Sequence, residues 1–142
     1  MTVRAILDLK GSHVVCVSPD IKLTEAVKVL AERGIGAVLV LQGERIEGIL
    51  SERDVVQALG RSGPEVMESP VGDVMTRMLV TCTGSDTVAA IMEVMTQRKI
   101  RHLPVVENGD LAGLISIGDV VKWRVGEYEA EQEALREYIT TA

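Results

Sequence analysis

The sequence predicts an α/β (α+β) protein made of two tandem β-α-β-β-α units packed about a pseudo-two-fold axis, with a helix at the C-terminus. Three observations carry this. Residues 48–56 and 113–121 align with Gly, Ser, Asp and two valines in register, Gly48 falling on Gly113 at an offset of 65 residues. Carried back without gaps, that offset sets Val15 on Val80, Val29 on Val94, Arg33 on Arg98, Ile35 on Ile100 and Val40 on Val105. Such fixed-period self-similarity marks a duplicated structural unit. Each copy also alternates strand-like and helix-like stretches, which suits a sheet covered by helices. Finally, 46% of the residues are hydrophobic but there is no Phe, one Trp and two Tyr, so the core must be aliphatic and thioether.

Each copy opens on a β-rich stretch, residues 14–17 and 79–82. Turn chemistry follows in Ser18-Pro19-Asp20 and in Thr83-Gly84-Ser85-Asp86. An amphipathic helix comes next. Its apolar stripe is Leu23, Ala26, Val27 and Leu30 in copy one, and Val88, Ile91, Met92 and Met95 in copy two. In copy one the helix ends near Arg33-Gly34, where Gly can adopt a left-handed cap. Strands 37–41 and 102–106 read as buried; polar turns separate them from strands 46–50 and 111–115. The Asn108-Gly109 pair is the stronger of the two turn signals. A final helix is expected over 52–60 and 117–125.

These readings divide the chain into a first unit, 1–62, a second, 63–125, and a helical tail, 126–142. Residues 61–65 read as the linker. Residues 70–76, leading into copy two, have a counterpart in residues 2–7. A unit of about 55 residues makes a marginal core alone, which favours packing of the two. The tail carries Tyr128, Leu135, Tyr138 and Ile139 among Glu, Arg and Gln, as suits a solvated helix with one sticky edge for packing or dimerisation.

Bulk properties exclude several functions. The net charge of −6 argues against a nucleic-acid partner, which demands a basic face. The scarce aromatics argue against stacking on bases. Cys16 and Cys82 stand in no metal-ligand spacing and read as two buried strand cysteines in a reducing compartment. The N-terminus lacks a signal-peptide pattern and no apolar run spans a bilayer, so the expected location is cytoplasmic. No nucleophile has an adjacent base, and HExxH, Walker A and GxGxxG patterns are all missing. The chain is therefore expected to bind rather than catalyse, with no metal and no catalytic cofactor.

Two features can carry binding. Ser51-x-x-Asp54 and Ser116-x-x-Asp119 each follow a strand and open a helix. Ser as N-cap with an acid three residues on is sufficient as pure helix capping. Yet a helix N-terminus also attracts anions, and a carboxylate there can take two hydrogen bonds from vicinal ribose hydroxyls. Both copies keep Gly three residues before the Ser, where something can approach the backbone. The second feature is Arg101-His102, which offers a donor fork and a switchable charge to phosphate; copy one has Gly36 and Ala37 there.

Residues 48–54, 100–106 and 113–119, together with the duplication, resemble tandem CBS motifs, a Bateman module. The chain is similar, from about Val3 to Arg124, to small freestanding bacterial CBS pairs. The resemblance implies an adenosine-containing ligand (AMP first, then NAD(H), ATP or ADP, with S-adenosylmethionine also used in the family). It implies a homodimer and a regulatory role toward a protein partner. It assigns crossed sites: Ser51, Arg53 and Asp54 with Val80, Arg101 and His102; and Ser116 and Asp119 with Gly36, Ala37 and Ser12. Adenine would lie against apolar and backbone groups of the strands, with Ile49 and Leu50 among them. The first set, richer in cations, is expected to hold phosphate more tightly, each charge-assisted contact contributing about 1.5–3 kcal/mol. The competing reading is a structural dimerisation module whose nucleotide sites are vestigial.

Overall fold

The computed structural model describes residues 1–77 and 79–141 and resolves two compact units. Their boundaries cut across the repeat. One unit holds residues 13–80; the other holds residues 1–12 together with 81–142. Ala142, the last residue of the expected tail, lies outside the described residues.

The unit of residues 13–80 contains β1 (Cys16–Val17), α2 (Leu23–Arg33), β2 (Ala37–Gln42), β3 (Arg45–Ser51) and α3 (Glu52–Ser62), and its partner unit begins with α1 (Val3–Lys10). Strand β1 runs parallel to β2, and β2 runs antiparallel to β3, giving the order β1-β2-β3. Helix α2 buries Leu23, Ala26 and Leu30 on the expected stripe and stops at Gly34, whose φ of 61° is the left-handed cap. These three side chains pack with Val38, Val40, Leu50 and Val55. Val71 and Met75 complete that core; they come from the segment leading into copy two. Residues 61–65 are not a simple linker, since α3 runs through Ser62 and a 3₁₀ turn covers Pro64–Glu68.

The other unit contains α4 (Val88–Arg98), β4 (His102–Glu107), β5 (Asp110–Ser116) and α5 (Ile117–Thr141), besides α1. Its sheet has two strands, β4 antiparallel to β5. The strand expected over 79–82 shrinks to one parallel bridge between Cys82 and Val105. Proline explains the loss. In the first sheet the Leu39 N–H donates to the Val15 carbonyl at 3.2 Å. The residue 65 positions on is Pro104, which has no N–H to give. Cys82 keeps only the two bonds that avoid that donor: its N–H donates to Pro104 O at 3.0 Å, and Val106 N–H donates to Cys82 O at 2.9 Å.

The two leading segments occupy exchanged positions. Val71 and Gly72 donate to the carbonyls of Ile21 and Pro19 in the first repeat. Val3 and Arg4 donate to Asp86 and Gly84 of the second, each acceptor 65 positions on. Each repeat is thus completed by the leader of the other copy. The correspondence of residues 70–76 with 2–7 was legible; the exchange was not.

Two further expectations are corrected. Cys16 is exposed, and only Cys82 is buried. Burial pushes the Cys82 thiol up to about 12, with the negative charges of Asp86 and Glu107 adding to the effect. The last helix does not end at 125: α5 continues without a break into the tail, making 25 residues.

Candidate functional site

Both Ser-x-x-Asp motifs form reciprocal caps. At α3, Ser51 Oγ accepts the Asp54 N–H at 3.3 Å, while Asp54 Oδ2 accepts the Ser51 N–H at 2.9 Å. Ser51 Oγ also donates to Oδ2 at 3.1 Å. At α5, Ser116 Oγ accepts the Asp119 N–H at 3.2 Å, and Asp119 Oδ2 accepts the Ser116 N–H at 2.9 Å. This capping box satisfies two helix-start donors and fixes each carboxylate at the positive end of a helix dipole.

The glycine before each motif has a structural reason. A Cβ on Gly48 would stand 2.6 Å from the Thr76 carbonyl oxygen and 2.9 Å from Met75 Sδ. A Cβ on Gly113 would stand 2.7 Å from Leu7 Cδ2. What approaches the backbone there is the exchanged leader.

That leader also delivers a polar group to each carboxylate. Thr76 Oγ1 donates to Asp54 Oδ1 at 2.9 Å. Lys10 Nζ donates to Asp119 Oδ2 at 2.6 Å and to the Leu114 carbonyl at 2.8 Å. Desolvation pushes the Asp119 carboxyl up. The Lys10 hydrogen bond, the Ser116 N–H and the Lys10 charge outweigh it, so the group sits below the ordinary range. Sequence reasoning missed Thr76 and Lys10. Both lie far along the chain from the acid they touch, and the correspondence of residues 2–7 with 70–76 included Thr76 but stopped short of Lys10.

The remaining expected residues distribute as follows. Ser51, Arg53, Asp54, Gly36, Ala37, Ile49, Leu50 and Val80 fall in the unit of residues 13–80. Ser12, Arg101, His102, Ser116 and Asp119 fall in the other. Within each unit the register sets Ala37 opposite Ser51, and His102 opposite Ser116. The Glu52 N–H donates to Gly36 O at 3.0 Å, and the Ile117 N–H donates to Arg101 O at 2.8 Å. So the helix-to-strand corner and the Ser-x-x-Asp turn lie side by side in both units. Arg53, Arg101 and Ser12 are exposed and His102 is half-buried. Ala37 is buried, and the Leu50 side chain belongs to the core, which leaves its backbone for any ligand contact.

Beside Asp54 lies an open depression of about 190 Å³, bordered by Gln57, Ala58, Arg61, Ser62 and Asp73. Pockets that enclose a drug-sized ligand run to about 300 Å³ and above, so this depression alone does not enclose a nucleotide. Among the described residues no three His, Cys, Asp or Glu side chains cluster as metal ligands, and no helix is long and apolar enough to cross a membrane.

The CBS-domain family model matches residues 6–61 and 71–126. The chain is 36% identical over 134 residues to the mitochondrial CBS domain-containing protein CBSX3 of Arabidopsis thaliana, covering 91% of this chain and 65% of that protein. It is 29% identical to the CBS domain-containing protein YhcV of Bacillus subtilis, with 82% of each covered. Among solved structures, the CBS-domain containing protein ATU1752 of Agrobacterium tumefaciens superposes with a TM-score of 0.86 at 44% identity, over 87% of this chain and 99% of that one. The CBS domain pair of MJ0100, solved with 5′-methylthioadenosine and S-adenosyl-L-methionine, shares the fold at a TM-score of 0.79 and 21% identity, covering 89% of this chain and 98% of that one. Two matched CBS domains, set on the two repeats read from the sequence, place the chain in the CBS-domain family as a tandem pair.

Proposed function

We propose that the chain is an adenine-nucleotide-binding regulatory module that works as a cytoplasmic homodimer and signals to a protein partner without turning its ligand over. The observation that carries this reading is the paired geometry of the caps. Two Asp carboxylates are each held at a helix start, oriented by Ser, with a polar leader residue on the carboxylate. Capping alone would need neither Thr76 nor Lys10. A carboxylate oriented in this way suits the vicinal hydroxyls of a ribose, and the helix N-terminus beside it suits a phosphate.

In this reading Asp54 and Asp119 hold ribose, and Ser51 and Ser116 support ribose or phosphate. Arg53, Arg101 and His102 supply donors to phosphate. Ser12, Gly36, Ala37, Ile49, Leu50 and Val80 line the ligand through backbone or apolar atoms. AMP is the first candidate, ahead of NAD(H), ATP and ADP; S-adenosylmethionine belongs in the same screen because a protein of this fold carries it. The ligand would act by binding two conformations of the module unequally.

Thermal unfolding with each nucleotide tests the reading. A ligand at about one hundred times its Kd stabilises by about 2.7 kcal/mol, an easily measured rise in Tm. Calorimetry on Asp54→Ala then asks whether the acid carries the binding. No stabilisation by any adenosine compound, or equal AMP affinity in Asp54→Ala, would overturn the reading.

A further inference from the structure

Helix α5 presents an apolar stripe that the rest of its unit does not cover. Val121, Val125, Tyr128, Leu135 and Ile139 are between 49% and 66% exposed. With Gln132 included, their spacings run 4, 3, 4, 3 and 4. That alternation is the a/d seam of a heptad, with Val121, Tyr128 and Leu135 at d and Val125, Gln132 and Ile139 at a. The seam spans about 28 Å of helix. The side of α5 turned to its own unit is a different one. Val120 is fully buried and Trp123 half-buried, and they lie about 100° and about 160° around the helix from the seam.

We infer that this seam pairs with the same seam of a second copy, as a short parallel coiled coil. The charges beside it select that occupant. Positions e are Lys122, Glu129 and Arg136; Arg124 and Glu131 stand at g. In a parallel pair each g residue meets the following e residue of the other helix. Arg124 then faces the second copy's Glu129, and Glu131 faces the second copy's Arg136. Both contacts join opposite charges, and each occurs twice by symmetry. The one polar a residue, Gln132, donates to Tyr128 Oη at 3.0 Å within its own helix and gives the seam a single polar layer that fixes register. Most of the stripe lies beyond residue 126, where the CBS match ends, so the pairing belongs to this chain's tail rather than to the matched domains. The inference rests on the homodimer in the proposed function and names the surface that forms it.

Light scattering of the full chain across a concentration series is the test, with circular dichroism confirming that each variant stays folded. The wild type is expected to dimerise, and Leu135→Glu to raise the dimer Kd by about 100-fold or more. Glu131→Arg alone weakens the dimer by about 2- to 5-fold, and adding Arg136→Glu restores it. In a Cys16→Ser background, Gln132→Cys forms an inter-chain disulfide under mild oxidation, because equivalent a positions face each other in a parallel pair. A dimer that is indifferent to Leu135→Glu and does not cross-link at 132 overturns the seam while leaving the homodimer standing. A wild type that stays monomeric overturns both.

Discussion

At the start of α3, Asp54 takes the Ser51 N–H and hydroxyl on one carboxylate oxygen and the Thr76 hydroxyl on the other. At the start of α5, Asp119 takes the Ser116 N–H and the Lys10 ammonium on a single oxygen. The helix cap is the same in both; the leader's gift differs, a neutral hydroxyl in one unit and a cation in the other. A ribose diol can displace a hydroxyl donor for little cost, since one neutral hydrogen bond replaces another. It must compete with a charge-assisted bond at Asp119, which is roughly twice as strong. The two copies thus keep the same scaffold at the turns and differ in the leader group that meets the carboxylate.

The packing beneath the turns offers the largest difference to measure. In Gly48→Ala the new methyl meets a backbone oxygen of the leader, at 2.6 Å, and that oxygen accepts the Ile49 N–H at 3.0 Å. Relief would require moving the bridge between Ile49 and Thr76. In Gly113→Ala the methyl meets the end of the Leu7 side chain, which has rotamers to explore. We expect Gly48→Ala to lose about 3 kcal/mol by urea denaturation and Gly113→Ala about 1 kcal/mol. Equal losses would mean that the two leaders are seated alike, and would remove the packing side of the comparison.

Ligand affinity comes next. Asp54→Ala is expected to weaken AMP binding by about 30-fold, equivalent to about 2 kcal/mol. Asp119→Ala should weaken the measured affinity by no more than about 3-fold, because Lys10 already holds that carboxylate. Titration calorimetry of the two variants reads both figures. A larger loss in Asp119→Ala would reverse the order of the two turns and show that Lys10 does not keep that carboxylate from the ligand.

Much of this was open to reading in the sequence. The 65-residue offset located both turns, and the helix stripes Leu23/Ala26/Leu30 and Val88/Ile91/Met95 are buried as spaced. What escaped has local physical causes. The strand at 79–82 looked as apolar as its partner at 14–17, but its pairing depended on an N–H that Pro104, on another strand, lacks. The role of Gly48 and Gly113 was readable as close approach, but not the identity of what approaches. Lys10 and Thr76 meet their acids only because the leaders exchange, a property of the chain path and not of any local pattern.

Thiol reactivity extends the comparison to the strand edges. Cys16 stands exposed on β1, while Cys82 is buried on the lone bridge with its thiol pushed up to about 12. At pH 8 one thiol per chain should react with a disulfide reagent in the native protein and two after unfolding. The Cys82 contribution also fixes a sign. Its folded value lies above the ordinary thiol value, so its share of stability is fully present below that value and is lost as pH rises from about 9 toward about 12.

The smallest effect isolates Lys10. Asp119 is held below the ordinary carboxylate value in the folded chain, so its contribution is present above that value and is lost as pH falls through the folded one. Lys10→Met removes the hydrogen bond and the charge that lower it and leaves the desolvation that raises it. The folded value must then climb, and the loss of stability must begin at higher pH. An acid titration followed by circular dichroism should place the midpoint a few tenths of a pH unit above wild type. If Lys10→Met leaves the acid midpoint where the wild type has it, the charge on Lys10 adds nothing to the Asp119 cap, and the difference between the turns reduces to the shape of their leaders.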